Sequence, residues 1–222
     1  MSLAARNIQP GVAPAARGEG HLQHRLELLE SVNASLRRSI VRLQGEIATA
    51  RRLAYHDPLT GLPNRHLLRD RLDQGVLRAS REGSQVALLL LDLDRFKSVN
   101  DELGHEAGDR LLCEVAERLL RCTRGADTVC RYGGDEFIVM LPGVTSVDEA
   151  EHVAQKIRAT IADVPFAIAG RAVRVGVSVG VAMLRPGDTA IERLIRDADR
   201  AMYRAKYAAQ SMAAPVSGQA AS

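Results

Sequence analysis

The chain has 222 residues, 46% hydrophobic and 26% charged, enough for one ordinary domain with its own core plus an appendage. Thirty Lys and Arg against 27 Asp and Glu leave a net charge of +3, too small an imbalance for a nucleic-acid footprint. With no Trp, four Tyr and three Phe there is no stacking platform for single strands either. The longest apolar run, Val86 to Leu91, is far short of a membrane span, and the opening MSLAARNIQPGVAPAARGEG lacks the apolar segment of a signal peptide. A cytoplasmic protein with neither nucleic-acid nor membrane partners is expected. Cys113, Cys122 and Cys130 form an odd set without CxxC spacing and read as small buried hydrophobes in a reducing compartment. The His residues are scattered, so no zinc site is expected.

Residues 1–20 are rich in Ala, Gly and Pro without apolar periodicity and are expected to be disordered. From His21 a heptad seam begins. One set of core positions (a) reads Leu26, Asn33, Ile40, Ile47 and Ala54, and the other (d) reads Leu22, Leu29, Leu36, Leu43 and Ala50. Ile at a, Leu at d and one Asn at a favour a parallel two-stranded coil, in which paired Asn residues satisfy each other. The flanking pairs Arg25 with Glu30 and Glu46 with Arg51 agree with that register. The alternative, an amphipathic helix packed on its own domain, would bury Asn33 without a partner. Residues 21–54 are therefore read as a dimerisation helix.

Residues 55–209 read as one domain. Helix is expected near Arg65 to Arg81, strand at Gln85 to Leu93, and helix from about Ala107 to Arg121, where Leu111, Leu112, Val115 and Leu119 share a face. A hairpin follows, with strands near Asp127 to Tyr132 and Glu136 to Leu141. Gly133 and Gly134 would supply turn conformations that a side chain would oppose. Helix near Ser146 to Ala162, β-rich stretches at Pro165 to Ile168 and Val173 to Met183, and helix near Thr189 to Ala208 complete the domain. The order predicts an α+β fold, a sheet with helices on one face. Residues 210–222 are unstructured in composition.

Two strand ends carry carboxylates. The apolar run Leu88 to Leu91 stops at Asp92-Leu93-Asp94, and the hairpin turns at Gly133-Gly134-Asp135-Glu136. Like charges ~4 Å apart repel by about 4 kcal/mol at an effective dielectric of 20, so a cluster of this kind calls for a cation. Mg²⁺ (or Mn²⁺) suits it, because a few carboxylate oxygens leave coordination positions for phosphate. Taken singly, Asp92 reads as a strand-end residue and the Gly-Gly pair as a hairpin turn.

Three segments, DPLTGLPNR at Asp57 to Arg65, DLDRFKSVNDELGHEAGD at Asp92 to Asp109, and RYGGDEF at Arg131 to Phe137, together resemble the GGDEF domain of diguanylate cyclases. The resemblance covers about Arg52 to Tyr207. It implies a fold related to nucleotidyl cyclases and the polymerase palm, an antiparallel-rich sheet with surrounding helices. The implied reaction condenses two GTP into cyclic di-GMP, releasing pyrophosphate.

The resemblance also assigns residues. It places metal ligands on Asp92 and Asp135, assisted by the Leu93 carbonyl, with Asp135 standing where many relatives have Glu. It gives Glu136 a part in activating the attacking hydroxyl. Asn100 and Asp109 match guanine-binding positions, Phe96 and Lys97 a turn over the β and γ phosphates, and Lys206 a phosphate-binding lysine. Gly133 and Gly134 would admit the ribose and α-phosphate close to the backbone. Arg124 and Asp127 match an RxxD product site for cyclic di-GMP, implying product inhibition; read alone, they are a helix-terminal Arg and a turn Asp. The product joins two GTP, so two domains must face each other, and the coil would supply the homodimer. One departure stands out: Gln210 occupies the place of an expected phosphate-binding Arg, which a neutral amide cannot replace. That keeps open a degenerate module that binds cyclic di-GMP or GTP without synthesis, and a dimerisation protein with a vestigial nucleotide fold.

Overall fold

The computed structural model describes residues 14–168, 170–184 and 190–213, with side chains placed from residue 23 to 208 within those ranges. The expected disordered segments therefore lie partly outside the described residues. The chain divides into two units, residues 1–52 and 53–222.

Helix α1 (Pro14–Tyr55) supplies the first unit. It starts at Pro14 rather than His21, a proline being tolerated in a first helical turn because its missing N–H has no intrahelical acceptor there. Every described large seam residue is exposed in the single chain, Leu26, Leu29, Leu36, Ile40, Leu43 and Ile47 among them. Asn33 does not wait unpaired: its Oδ1 accepts from Arg37 Nε at 2.8 Å. Among the described residues, no helix is long and apolar enough to cross a membrane.

The second unit is built on a four-stranded antiparallel sheet in the order β2-β3-β1-β6. Strand β1 (Gln85–Asp94) is central, paired with β3 (Glu136–Val144) on one side and β6 (Gly176–Met183) on the other; β2 (Thr128–Arg131) is an edge. A separate hairpin joins β4 (Phe166–Ile168) to β5 (Arg171–Val173).

The expectation of helices on one face is corrected. Ala87, Leu89, Leu91 and Leu93 of β1 pack with α4 (His105–Cys122) and α5 (Val147–Ala162), whereas Val86, Leu88 and Leu90 pack with α2 (Arg65–Glu82) and α6 (Ile191–Ala213). Eight consecutive residues of β1, Val86 to Leu93, are buried, the pattern of a strand covered on both sides. Each fully buried leucine contributes about 2 kcal/mol, so this strand is a rigid support for what its end carries. Helix α2 starts where Asn64 Oδ1 accepts from the amides of His66 and Leu67 at 2.9 and 3.2 Å, and it stops at Gly83 in the left-handed conformation (φ 67°). Helix α6 continues to Ala213, so the tail read as unstructured from residue 210 is helical at its start.

Candidate active site

Sheet register brings the acidic residues together. Asp92 lies directly opposite Glu136 across the β1–β3 ladder, and the Leu93 amide donates to the Asp135 carbonyl at 3.4 Å. Asp92 is 8% exposed, so its charge needs a partner. It has one from the far end of the chain, Lys206 on α6, whose Nζ donates to Asp92 Oδ1 at 2.6 Å. Burial alone would lower the Lys206 pKa, but the hydrogen bond and charge of Asp92, with Asp135 and Asp94 behind it, raise it on balance. Glu136 has its pKa raised by burial first, then by the negative charges of Asp92 and Asp135. The cluster thus carries more negative charge than one ammonium offsets, and it already attracts a cation.

Among the described residues, no three His, Cys, Asp or Glu side chains form a ready-made metal cage. The expected donors, two aspartates and the Leu93 carbonyl, are fewer than such a cage, and Mg²⁺ commonly takes one or two carboxylates and completes its shell with water and phosphate. By residue type that set suits a hard divalent ion, and the cation that Asp92 binds in this structure is the Lys206 ammonium.

The hairpin turn is held from outside. Arg131, at the end of β2, donates from Nε and Nη2 to the Gly134 carbonyl at 3.2 and 2.8 Å, while its Nη1 reaches both oxygens of Asp57 at 3.1 and 3.2 Å. Burial opposes the Asp57 charge, but hydrogen bonds from the Thr60 hydroxyl and amide and from Arg131 outweigh it and lower its pKa. Arg131 therefore fixes the turn that carries Asp135 to the loop beginning at Asp57. Neither residue was singled out from sequence, where an Arg before Gly-Gly gives no sign of its partners.

The glycines of this turn act differently from expectation. Neither Gly133 nor Gly134 is among the positive-φ residues. A Cβ on Gly133 would instead lie 2.6 Å from Glu136 Oε2, and one on Gly134 would meet nothing within 4 Å. Gly133 makes room for the Glu136 carboxylate, and Gly134 leaves open backbone.

The segment after β1 also differs. Phe96 and Lys97, expected in a turn, begin a short helix α3 (Phe96–Leu103). Arg95 before it has φ 60°, the one non-glycine residue with positive φ among the described residues, and no side chain caps the helix start. Such strain gathers where a site fixes the backbone. Asn100 on α3 lies against α4 at Gly108, where any Cβ would collide with Asn100 Oδ1 and lie 3.1 Å from Phe96 Cζ. Asp109 follows directly and is exposed. Asn100 thus lies against the turn of α4 that carries Asp109, and Gly108, which sequence reading missed, leaves room for its side chain. Asp94 accepts from Ser178 Oγ at 2.8 Å.

Arg124 and Asp127 pair with each other. The Asp127 carboxylate accepts from the Arg124 amide at 2.9 Å and from Nε at 3.0 Å, and Arg124 Nη2 also donates to the Pro142 carbonyl at 3.2 Å. The side chain of Gln210 lies outside the described residues.

Known proteins are similar to this chain in sequence and fold. The family described as "Diguanylate cyclase, GGDEF domain" matches residues 54–212. Diguanylate cyclase DgcP of Pseudomonas aeruginosa is 40% identical over 87% of this chain and 28% of its own length. Response regulator PleD of Caulobacter vibrioides is 44% identical over 69% of this chain and 34% of its own. The chain thus spans about a third or less of these curated relatives. Among solved structures, the coiled coil and GGDEF domain of DgcB from Caulobacter crescentus, in complex with c-di-GMP, aligns with a TM-score of 0.74. It is 29% identical, over 81% of this chain and 95% of that one. Diguanylate cyclase SiaD from Pseudomonas aeruginosa, in complex with its activator SiaC, aligns at 0.66 and is 33% identical, over 87% of this chain and 74% of that one. From motif order, sheet topology and these likenesses, the chain belongs to the GGDEF family of diguanylate cyclase domains.

Proposed function

We propose that the chain is a diguanylate cyclase, joining two GTP into cyclic di-GMP with release of two pyrophosphates, and that it works as a parallel homodimer through residues 21–54, with residues 55–209 as the catalytic domain. The observation that carries this reading is the meeting of Asp92, Asp135 and Glu136 at one sheet end, with Lys206 hydrogen-bonded to Asp92. Asp92, Asp135 and the Leu93 carbonyl would hold Mg²⁺ or Mn²⁺. When bound, that ion polarises the α-phosphate and lowers the pKa of the attacking ribose 3′-hydroxyl. Glu136, with its raised pKa, is suited to hold the proton that this hydroxyl loses.

Asn100 and Asp109 orient guanine through an amide and a carboxylate that match its acceptor and donor edge. The open backbone at Gly134, next to Gly133 where the Glu136 carboxylate lies, admits the ribose and α-phosphate, and the uncapped amides of Phe96 and Lys97 face the outer phosphates. Lys206 exchanges Asp92 for phosphate oxygen as substrate enters. Each domain holds one GTP, so the exposed seam of α1 meets its copy and keeps two half-sites at high effective concentration. The DgcB structure, a coiled coil with a GGDEF domain, supports that arrangement. GTP is a cytoplasmic metabolite, which places the work there.

Cyclic di-GMP inhibits by binding Arg124 and Asp127, and for this Arg124 must first leave the Asp127 carboxylate, whose side chain is 3% exposed. Gln210 sustains a second reading, a receptor that binds without synthesis. Purified protein with GTP and Mg²⁺ decides between them. Cyclic di-GMP and pyrophosphate are expected from wild type and neither from Asp135→Ala; nucleotide binding without product from wild type would leave only the receptor.

A further inference from the structure

The end of β1 is held differently on its two sides. Toward the hairpin, Leu93 faces Asp135, where a complete antiparallel pair would exchange two backbone hydrogen bonds. Only one is made among the described residues: the Leu93 amide donates to the Asp135 carbonyl at 3.4 Å, and the Asp135 amide returns nothing to Leu93. The amide and carbonyl of one strand residue point to the same side, so the Leu93 carbonyl faces the hairpin without a backbone donor. Toward β6 the ladder runs through to Asp94, which stands opposite Gly176, while Ser178 stands opposite Asp92. A side-chain bond reinforces that side: Ser178, 4% exposed, donates its hydroxyl to Asp94 Oδ1 at 2.8 Å. The seat for the other carboxylate oxygen exists because residue 176 is glycine, where a Cβ would lie 2.5 Å from Asp94 Oδ2. Directly beyond Asp94 the chain leaves the ladder through the left-handed Arg95 (φ 60°).

We propose that Asp94 is a positioning residue for the divalent cation: clasped by Ser178 and seated against Gly176, it fixes the last peptide of β1 so that the Leu93 carbonyl stays turned toward Asp135. This role rests on Asp92, Asp135 and the Leu93 carbonyl being the metal site of the proposed function. The Leu93 carbonyl belongs to the planar peptide unit that ends at Asp94, so a carboxylate fixed at Asp94 limits how far that carbonyl can rotate. The single bond on the hairpin side, at the long end of the range for N–H···O, is too weak to do this alone. The clasp also spares Asp92. Ser178 lies across the ladder from Asp92, yet its hydroxyl goes to Asp94, which leaves the Asp92 carboxylate to Lys206 or to a metal. Asp94 itself touches neither substrate nor ion in this account and acts through the backbone of its neighbour.

The test titrates Mn²⁺ into the full chain by electron paramagnetic resonance, in the presence of a non-reactive GTP analogue, with thermal unfolding in EDTA recorded for every variant. Ser178→Ala is expected to weaken Mn²⁺ binding about tenfold, and Gly176→Ala to do the same by filling the seat. Ser178→Thr, which keeps the hydroxyl, should stay within about threefold of wild type. On an Asp94→Ala background, Ser178→Ala should change Mn²⁺ affinity by less than about twofold, because the clasp is already gone. Lower thermal stability with unchanged Mn²⁺ affinity in both Ser178→Ala and Gly176→Ala would reduce the clasp to a structural bond and overturn the positioning role, as would equal losses from Ser178→Ala on the wild-type and Asp94→Ala backgrounds. If those variants bound Mn²⁺ like wild type while Asp92→Asn did not, the positioning role alone would fall. If Asp92→Asn bound Mn²⁺ as tightly as wild type, the metal site of the proposed function would fall with it.

Discussion

Replacing Lys206 with Met tests the charge balance of the site without touching a carboxylate. In wild type the Lys206 ammonium lies 2.6 Å from Asp92 Oδ1, with side-chain exposures of 32% for Lys206 and 12% for Asp92. Fully buried pairs cost about 3–5 kcal/mol when one partner is removed, whereas exposed pairs are worth less than about 1. With Asp92 mostly enclosed and Lys206 partly open, Lys206→Met should cost about 2 kcal/mol in the absence of divalent ions. For a domain of this size that corresponds to about 4–8 °C in melting temperature. The assay is thermal and urea unfolding by circular dichroism at pH 7, in EDTA and then in millimolar Mg²⁺. Because the ammonium and the metal compete for Asp92, Mg²⁺ should stabilise the variant more than wild type and narrow the gap. A variant as stable as wild type in EDTA, or an equal Mg²⁺ shift in both proteins, would refute the competition.

Glu136→Gln should stabilise the metal-free protein at neutral pH. The raised Glu136 pKa means that the folded state holds its proton above the ordinary value of 4.5, so stability falls as pH rises through that window. The stability difference between variant and wild type should vanish below pH 4.5 and be complete above the folded-state pKa; a pH-independent difference would contradict the assignment. Ile40→Pro should break α1 self-association, read by light scattering, and lower turnover per chain in dilute protein; unchanged turnover with lost association would remove the coil from catalysis. Gly180→Ala would drive a Cβ into the backbone of Ala198 and Met202, pushing α6 from β6. It should cost about 3 kcal/mol in urea unfolding and weaken GTP binding through Lys206; a loss below about 0.5 kcal/mol would contradict the packing.

What could be read from sequence followed local periodicity and motif spelling. The apolar run Leu88 to Leu91 announced β1, and the spacing of Leu111, Leu112, Val115 and Leu119 announced α4. The same run carried the clue that was missed. Uninterrupted burial without alternation means both faces are covered, so α2 and α6 lie opposite α4 and α5. Helix α3 left little trace because it has eight residues and buries only Val99, too little for a helical stripe to show. The expected positions of Asp92, Asp135, Asn100 and Asp109 came from motif resemblance. The pairing of β1 with the hairpin that carries Asp135 depends on strand register, and the seat of Asn100 on the clearance at Gly108, neither of which local spacing encodes. Arg131 was opaque for a related reason: its partners stand three and 74 positions away. Lys206 and Asp92, 114 positions apart, meet only because α6 packs across the sheet that β1 centres.

The most direct measurement is a crystal structure of this protein with Mn²⁺ and a GTP analogue whose α-phosphate cannot react, using the anomalous signal of the metal. The expected result is Mn²⁺ bound by Asp92, Asp135 and the Leu93 carbonyl, guanine against Asn100 and Asp109, and Lys206 transferred from Asp92 to phosphate. Nucleotide bound elsewhere, or Lys206 still on Asp92 with no metal beside it, would contradict the proposal that this acidic cluster is the catalytic centre.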